Sequence, residues 1–279
     1  MPKSIGIDIG GTHISAGIAS NGKASRLIKV SIPKTRKVFF SKLFGIIDSL
    51  AEPNIKNIGI GFPAPIVNGY IHEVQNLSFL GKTNLKTVVE KKYKKQKIKC
   101  FVENDANCFA LAEQKYGSAK GKKNVVGITL GTGLGCGIII NGNIYSGSTG
   151  SAGEISKIPY GNIGTLENSA NSRFLKRTLG KNPKELYELA KKGNKNALNA
   201  WKAYGSQVGK VLSVVVNTID PEIIVLGGKI SNAYPFFKNQ IMPEIRKYCF
   251  KYSSSKVRIV KSKLKNSGVI GASLLCLQA

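Results

Sequence analysis

Two stretches of this chain repeat one another at a fixed offset, and that constrains its architecture more than any other feature. Gly11-Thr12 is matched by Gly131-Thr132, Gly17 by Gly137, Ile18 by Ile138 and Asn21-Gly22 by Asn141-Gly142, every pair 120 positions apart. In the first copy Ile5, Ile7 and Ile9 alternate with Gly6, Asp8 and Gly10, the period of a strand. Gly11-Thr12 turns the chain, Ile14 to Ala19 returns it, and Asn21-Gly22 closes the next reversal. Unrelated hairpins would share turn residues but not a constant spacing. The repeat therefore predicts two α/β halves, each opening with a glycine-rich β-hairpin.

Between the copies, Ile58 to Phe62 reads as a strand ended by Pro63-Ala64-Pro65, and Thr83 to Lys92 as a helix. A strand over Ile98 to Val102 delivers Glu103-Asn104-Asp105 to a helix running from about Ala106 to Tyr116, which Gly117 stops. After the second hairpin, helical patterns run from Leu166 to Asn217, broken at Asn182-Pro183. Glu222 to Leu226 then forms a strand ending in Gly227-Gly228, and a last helix over Val269 to Leu277 is expected to pack back on the first half.

The chain has 279 residues, enough for two cores, and 42 Lys and Arg against 15 acids, a net charge of +27. Such an excess attracts polyanions. It is nearly all lysine, which lacks the planar fork that reads guanine edges, so sequence-specific nucleic-acid binding is not expected. The lysine runs over 86–99 and 251–265 alternate with apolar residues and read as solvated faces of amphipathic elements. Cys100, Cys108, Cys136, Cys249 and Cys276 show no paired spacing, and His13 and His72 are the only histidines, so no zinc pattern can be assembled. These read as reduced thiols of a cytoplasmic protein. Val125 to Ile140, the most apolar stretch, is interrupted by five glycines, and no membrane span or cleavable leader is expected.

Three groups of residues carry chemistry. Asp8-Ile9-Gly10-Gly11-Thr12 and Leu130-Gly131-Thr132-Gly133-Leu134-Gly135 are glycine loops that can bring backbone N–H groups and threonine hydroxyls to phosphate oxygens, without the lysine of a P-loop. Taken singly, either is equally a tight β-turn; Asp8 adds a carboxylate able to hold Mg²⁺ through water. Asp105 opens a helix, where it either caps free N–H groups or accepts the proton of an alcohol that attacks a phosphoryl group. Asn104 beside it can donate and accept, which suits a sugar hydroxyl. Glu154 and Glu167 end glycine-containing loops in a chain short of acids; each is a solvated or capping residue, or a ligand for adjacent sugar hydroxyls.

These elements resemble the ROK family of sugar kinases, a branch of the actin/hexokinase superfamily. The resemblance runs along nearly the whole chain through Asp8–Thr12, Gly59–Pro65, Asn76-Leu77, Glu103–Asn107, Leu130–Gly135, Gly153-Glu154, Leu166-Glu167, Asp220–Gly228 and Gly268–Ala272. It implies two RNase H-like α/β domains with a cleft between them: a small one over 1–106 plus 266–279 and a large one over 107–265. It implies ATP and Mg²⁺ as cofactors. Gly10, Gly11, Thr12, Gly131, Thr132 and Gly133 would hold the phosphates, Gly227 and Gly228 would lie under the adenosine, and Asp105 would be the catalytic base. Asn76, Asn104, Glu154 and Glu167 would be sugar ligands.

Two departures stand out. The family's usual Gly-Glu-Ile-Gly-His is here Gly153-Glu154-Ile155-Ser156-Lys157, so Lys157 either replaces the histidine's sugar contact or points away. The family's Cys-x-Cys-Gly-x-x-Gly-Cys zinc loop is represented only by Ile158 to Thr165, so no structural zinc is expected. Glucose is the first expected acceptor, ahead of fructose, mannose or an N-acetylhexosamine, with inorganic polyphosphate as a rival donor favoured by the charge. The family also holds transcriptional repressors with a helix-turn-helix domain before the kinase body; here the first strand begins at Ser4, and such a domain is not expected. A small-molecule sugar and a nucleotide are thus the expected partners, without a membrane, in a homodimer, the commonest assembly of soluble enzymes.

Overall fold

The computed structural model describes residues 3–73 and 77–278. The chain opens with β1 (Ser4–Ile9), β2 (His13–Ser20) and β3 (Lys23–Ser31), followed by α1 (Arg36–Leu50) and β4 (Asn57–Phe62). Short strands β5 (Ile66–Val67), β6 (Tyr70–Ile71) and β7 (Thr83–Asn84) form a small sheet, and α2 (Leu85–Lys92), β8 (Lys99–Asn104) and α3 (Asp105–Tyr116) follow. The second series comprises β9 (Val125–Leu130), β10 (Leu134–Ile140) and β11 (Asn143–Ile144), then helices α4 (Leu166–Ala170), α5 (Ser172–Leu179), α6 (Pro183–Lys191) and α7 (Lys195–Ile219). It closes with β12 (Ile223–Gly227), α8 (Tyr234–Phe237), α9 (Ile241–Tyr248), α10 (Lys251–Lys256), β13 (Arg258–Lys261) and α11 (Ser267–Ser273).

The two large sheets share one plan. Their strand orders are β3-β2-β1-β4-β8 and β11-β10-β9-β12-β13: a reversing triplet, then two further strands laid parallel to its first. Asn21 and Gly22 (φ 48° and 75°) and Asn141 and Gly142 (φ 53° and 85°) all sit in the left-handed region that a two-residue hairpin turn demands. The repeat seen in the sequence is thus a repeat of backbone geometry.

The chain divides into two compact units, one of Met1–Lys123, Gly137–Ala152 and Lys263–Ala279, the other of Asn124–Cys136 and Gly153–Ser262. In the first unit α11 lies directly on the sheet: a side chain at Gly6 would run into the Val269 carbonyl, and one at Gly59 into that of Ala272. Only bare backbone permits this approach. The expected terminal helix is therefore present over Ser267–Ser273, followed by a 3₁₀ turn over Leu275–Leu277. The helix expected from Thr83 begins instead at Leu85, because the Asn84 side chain accepts from Thr87 N (2.9 Å) and caps it. The second unit is organised on α7, whose buried Trp201 stacks on Phe237 (centroids 6.0 Å apart) while Tyr204 donates its hydroxyl to Ala170 O at 2.7 Å. All five cysteines are free thiols, and among the described residues no helix is long and apolar enough to cross a membrane.

Candidate active site

In the first unit, strand register gathers the acids. Asp8 on β1 pairs with Gly61 on β4, and Gly61 with Glu103 on β8, so one row across three parallel strands ends beside Asp105. A side chain at Gly61 would lie 3.5 Å from the Asp105 Cα. Parallel sheets bind ligands at the carboxyl ends of their strands, which is where this row stands. The buried Cys108 thiol registers the same convergence: burial pushes its pKa well up, and the charges of Glu103, Asp8 and Asp105 push it further. Asp8 lies against Gly268 of α11, where a side chain would strike its carboxylate, and burial raises its pKa to about 6.

The strand-to-helix junction is held by a polar network. Asn104 is the N-cap of α3: its Oδ1 accepts from Ala106 N (2.9 Å) and Asn107 N (3.3 Å), and its Nδ2 donates to Ala64 O at 3.4 Å. The capping alternative considered for Asp105 thus falls mainly to its neighbour. Asp105 occupies the first helical position, half-buried, with Oδ1 accepting from Ala106 N at 2.8 Å. Behind it, Glu103 accepts from Asn104 N (2.7 Å), Asn107 Nδ2 (3.1 Å) and Ser146 Oγ (2.9 Å), while Asn107 Oδ1 accepts from Ile138 N at 3.1 Å. Glu103, Asn107 and Ser146 were not singled out from the sequence, although Glu103 and Asn107 bracket the conspicuous acidic motif.

In the second unit the glycine loop between β9 and β10 has its own supports. Gly131 N donates to Gly133 O (3.1 Å), and Ser172 N, at the start of α5, donates to Gly131 O at 2.9 Å. Glu167 Oε2 accepts from Leu134 N at 3.3 Å, which ties that carboxylate to the loop. Gly228 (φ 80°) packs on the Leu130 backbone, so the Gly227-Gly228 turn and the glycine loop are neighbours. Glu154 precedes a 3₁₀ turn and accepts from Ser156 Oγ at 3.4 Å; burial, helped by the Glu154 charge, pushes the Cys136 thiol up to about 12. Lys157 is exposed on that turn. Asn76 lies outside the described residues.

The segment from Ile158 to Thr165 is closed by a β-bridge between Pro159 and Thr165 and by Tyr160 N donating to Gly164 O at 2.7 Å. Tyr160 Oη bonds Gln207 of α7 (3.3 Å), and Asn168 Nδ2 bonds Ile163 O (3.1 Å). Hydrogen bonds hold the approach to Glu167 here.

Gly11 and Gly131, the paired members of the repeat, differ from the crowded glycines. Neither has a left-handed φ, and a Cβ added to either meets nothing within 4 Å. At these two positions the backbone conformation therefore does not itself demand glycine. What glycine leaves at both is open space beside bare main chain, the space a phosphate oxygen would take. Thr12 and Thr132 are exposed next to these positions, Thr12 with its hydroxyl 2.8 Å from His13 Nδ1.

The duplicated sheet plan, with acids at the strand ends of one unit and glycine turns in both, defines a protein of the actin/hexokinase fold. A family model of the ROK family matches residues 4–279, and the chain belongs to that family. It is similar to a glucokinase of Halalkalibacterium halodurans, 30% identical over 318 residues spanning 98% of this chain and 94% of that one. It is also similar to a xylose repressor of Bacillus spizizenii, 27% identical over 299 residues covering 99% of this chain and 77% of the repressor. Among solved structures, the ROK hexokinase of Thermus thermophilus superposes with a TM-score of 0.79 at 26% identity, covering 98% of this chain and 97% of that one.

Proposed function

We propose that this chain is a sugar kinase that transfers the γ-phosphoryl group of ATP to a hexose hydroxyl, with glucose to glucose 6-phosphate as the first reaction to test. The observation that carries this reading is the strand register that brings Asp8 and Asp105 to the same end of one sheet beside the Gly10–Thr12 turn. Asp105 accepts the hydroxyl proton as the sugar oxygen bonds to phosphorus and the bond from phosphorus to the leaving ADP oxygen breaks. Magnesium, when bound, neutralises phosphate charge, and Asp8 would hold it through water. A pKa near 6 keeps Asp8 mostly ionised at neutral pH and so able to do this.

The main chain of Gly10, Gly11 and Thr12, and of Gly131, Thr132 and Gly133, receives the phosphates, with the space open at Gly11 and Gly131, while Gly227 and Gly228 support the adenosine. Asn76, Asn104, Glu154 and Glu167 orient the sugar, with Lys157 at the anomeric end. Asn104 does so through its remaining amide hydrogen, because its oxygen is committed to the helix cap. A homodimer in the cytoplasm is the expected setting. Similarity to glucokinases along almost the whole chain supports the reading.

A second donor is favoured by the net charge of +27, which would draw in inorganic polyphosphate. The likeness to xylose repressors supports a contrasting, sugar-sensing role without turnover. A panel of glucose, fructose, mannose and N-acetylhexosamines, each assayed with Mg²⁺-ATP and with polyphosphate, separates the three. The proposal expects ATP-dependent turnover of at least one hexose; sugar binding without turnover of either donor would overturn it.

A further inference from the structure

The second unit carries a groove of about 1080 Å³ along β13, the edge strand of its sheet, and the proposed chemistry makes no use of it. Ile241, Met242, Val257 and Ile259 give it an apolar lining. Its charge is of one sign: Lys238, Arg246, Lys251 and Arg258 line it, and among the described residues no acid does. At its margin, three rings alternate along a single short stretch. Tyr248, Phe250 and Tyr252 are 48%, 85% and 75% exposed, and Phe250 lines the groove itself. Lys247 Nζ stands 5.1 Å from the centre of the Tyr248 ring and Lys256 Nζ 5.4 Å from that of Tyr252, so rings and cations are interleaved. So much exposed aromatic surface in one place marks a contact site.

The geometry points to single-stranded nucleic acid as the occupant, bound without regard to sequence. A cationic groove that tracks a phosphate backbone, with rings on which unpaired bases stack, is what such a ligand requires. Three other occupants match the site less well. A second copy of the chain in a twofold contact here would set these cations against their own kind. Inorganic polyphosphate would satisfy the cations and leave the rings without partners. A lipid surface calls for a projecting face, whereas these side chains border a concavity. Arg246 and Arg258 alone among the lining side chains carry the planar fork that reads guanine, and among the described residues no asparagine, glutamine or acid lines the groove to read the other bases, so stacking and phosphate contacts dominate.

Fluorescence anisotropy of a labelled oligo(dT) of about twelve nucleotides, titrated with the full chain, tests this. The logarithm of the association constant should fall against the logarithm of salt concentration with a slope of roughly −3, as four cations neutralising phosphates would give. Phe250→Ala with Tyr252→Ala should weaken binding roughly ten- to a hundredfold, with the melting temperature and any sugar turnover unchanged, since both rings are exposed. Lys251→Glu with Arg258→Glu should flatten the slope by about 1.5 units. Binding that ignores the two ring substitutions overturns the inference, as does stronger binding of charge-matched polyphosphate or phosphatidylserine vesicles, or no binding at low salt.

Discussion

Replacing Glu103 by alanine strips the acceptor from Asn104 N, Asn107 Nδ2 and Ser146 Oγ at once, at 2.7, 3.1 and 2.9 Å. A hydrogen bond to a charged group contributes about 1.5 to 3 kcal/mol, and a buried donor left unpaired costs about as much again. Glu103 is half-buried, so water recovers part of that loss, and a total near 3 kcal/mol follows, or roughly 5 to 10 °C in melting temperature. The network fixes the backbone immediately before Asp105, so turnover should fall alongside stability even though Glu103 need not touch substrate. Glu103→Gln, which keeps one acceptor oxygen, should recover most of the stability and part of the turnover. Thermal melts and steady-state kinetics of both variants, with Ser146→Ala and the double variant to isolate the coupling, supply the numbers. A Glu103→Ala protein that melts and turns over like the wild type would refute this account of how the junction is held.

The open glycines make a sharper separation of fold from function. Gly11→Ala and Gly131→Ala meet no neighbour and no forbidden φ, so the variants should melt at or slightly above the wild-type temperature, yet bind the phosphate donor at least ~10-fold more weakly by calorimetry. Gly228→Ala, which strikes the Leu130 backbone from a φ of 80°, should instead lose stability. Asp8 supplies a pH test. Burial holds its folded pKa at about 6, above the ordinary aspartate value of 3.8, so the folded chain binds the proton more readily and stability falls as pH rises between those values. Above that window Asp8→Asn should be more stable than wild type by about 1 to 3 kcal/mol in urea unfolding, with the advantage gone below pH ~4. A chelator should leave the melting temperature unchanged, whereas Tyr160→Phe with Asn168→Ala, which removes two bonds of the segment before Glu167, should lower it by a few degrees.

What could be read from the sequence was what the chain specifies locally. Asparagine-glycine turns, alternating isoleucines and a carboxylate at a strand-to-helix junction each act within a few residues, and the hairpins and the Asp105 junction formed where those signals place them. Helix α1 also carries a local signal, with Phe39, Leu43, Ile46, Ile47 and Leu50 buried on one face behind a Thr35 cap, but Gly45 and adjoining phenylalanines dilute it, and no helix was expected there. Long-range pairing left no trace: nothing near Glu103 announces Ser146, 43 residues on, and nothing near Leu134 announces Glu167. Asn104 illustrates a different limit, since a residue suited to a sugar hydroxyl is equally suited to a helix cap, and only coordinates show that its oxygen is taken. Gly11 and Gly131 stand out in the sequence as residues that let the main chain be approached closely, and the space beside both is open, although no left-handed turn there demands glycine.

The central claim is that one carboxylate, held at the first position of α3, takes a proton from an alcohol during phosphoryl transfer. Turnover of Asp105→Ala with Mg²⁺-ATP and the best hexose, set beside its melting temperature and its sugar affinity, tests that claim most directly. A fall of about 10² to 10⁴-fold in turnover, with folding and sugar binding nearly intact, is the expected result. Turnover within a few fold of the wild type would contradict it.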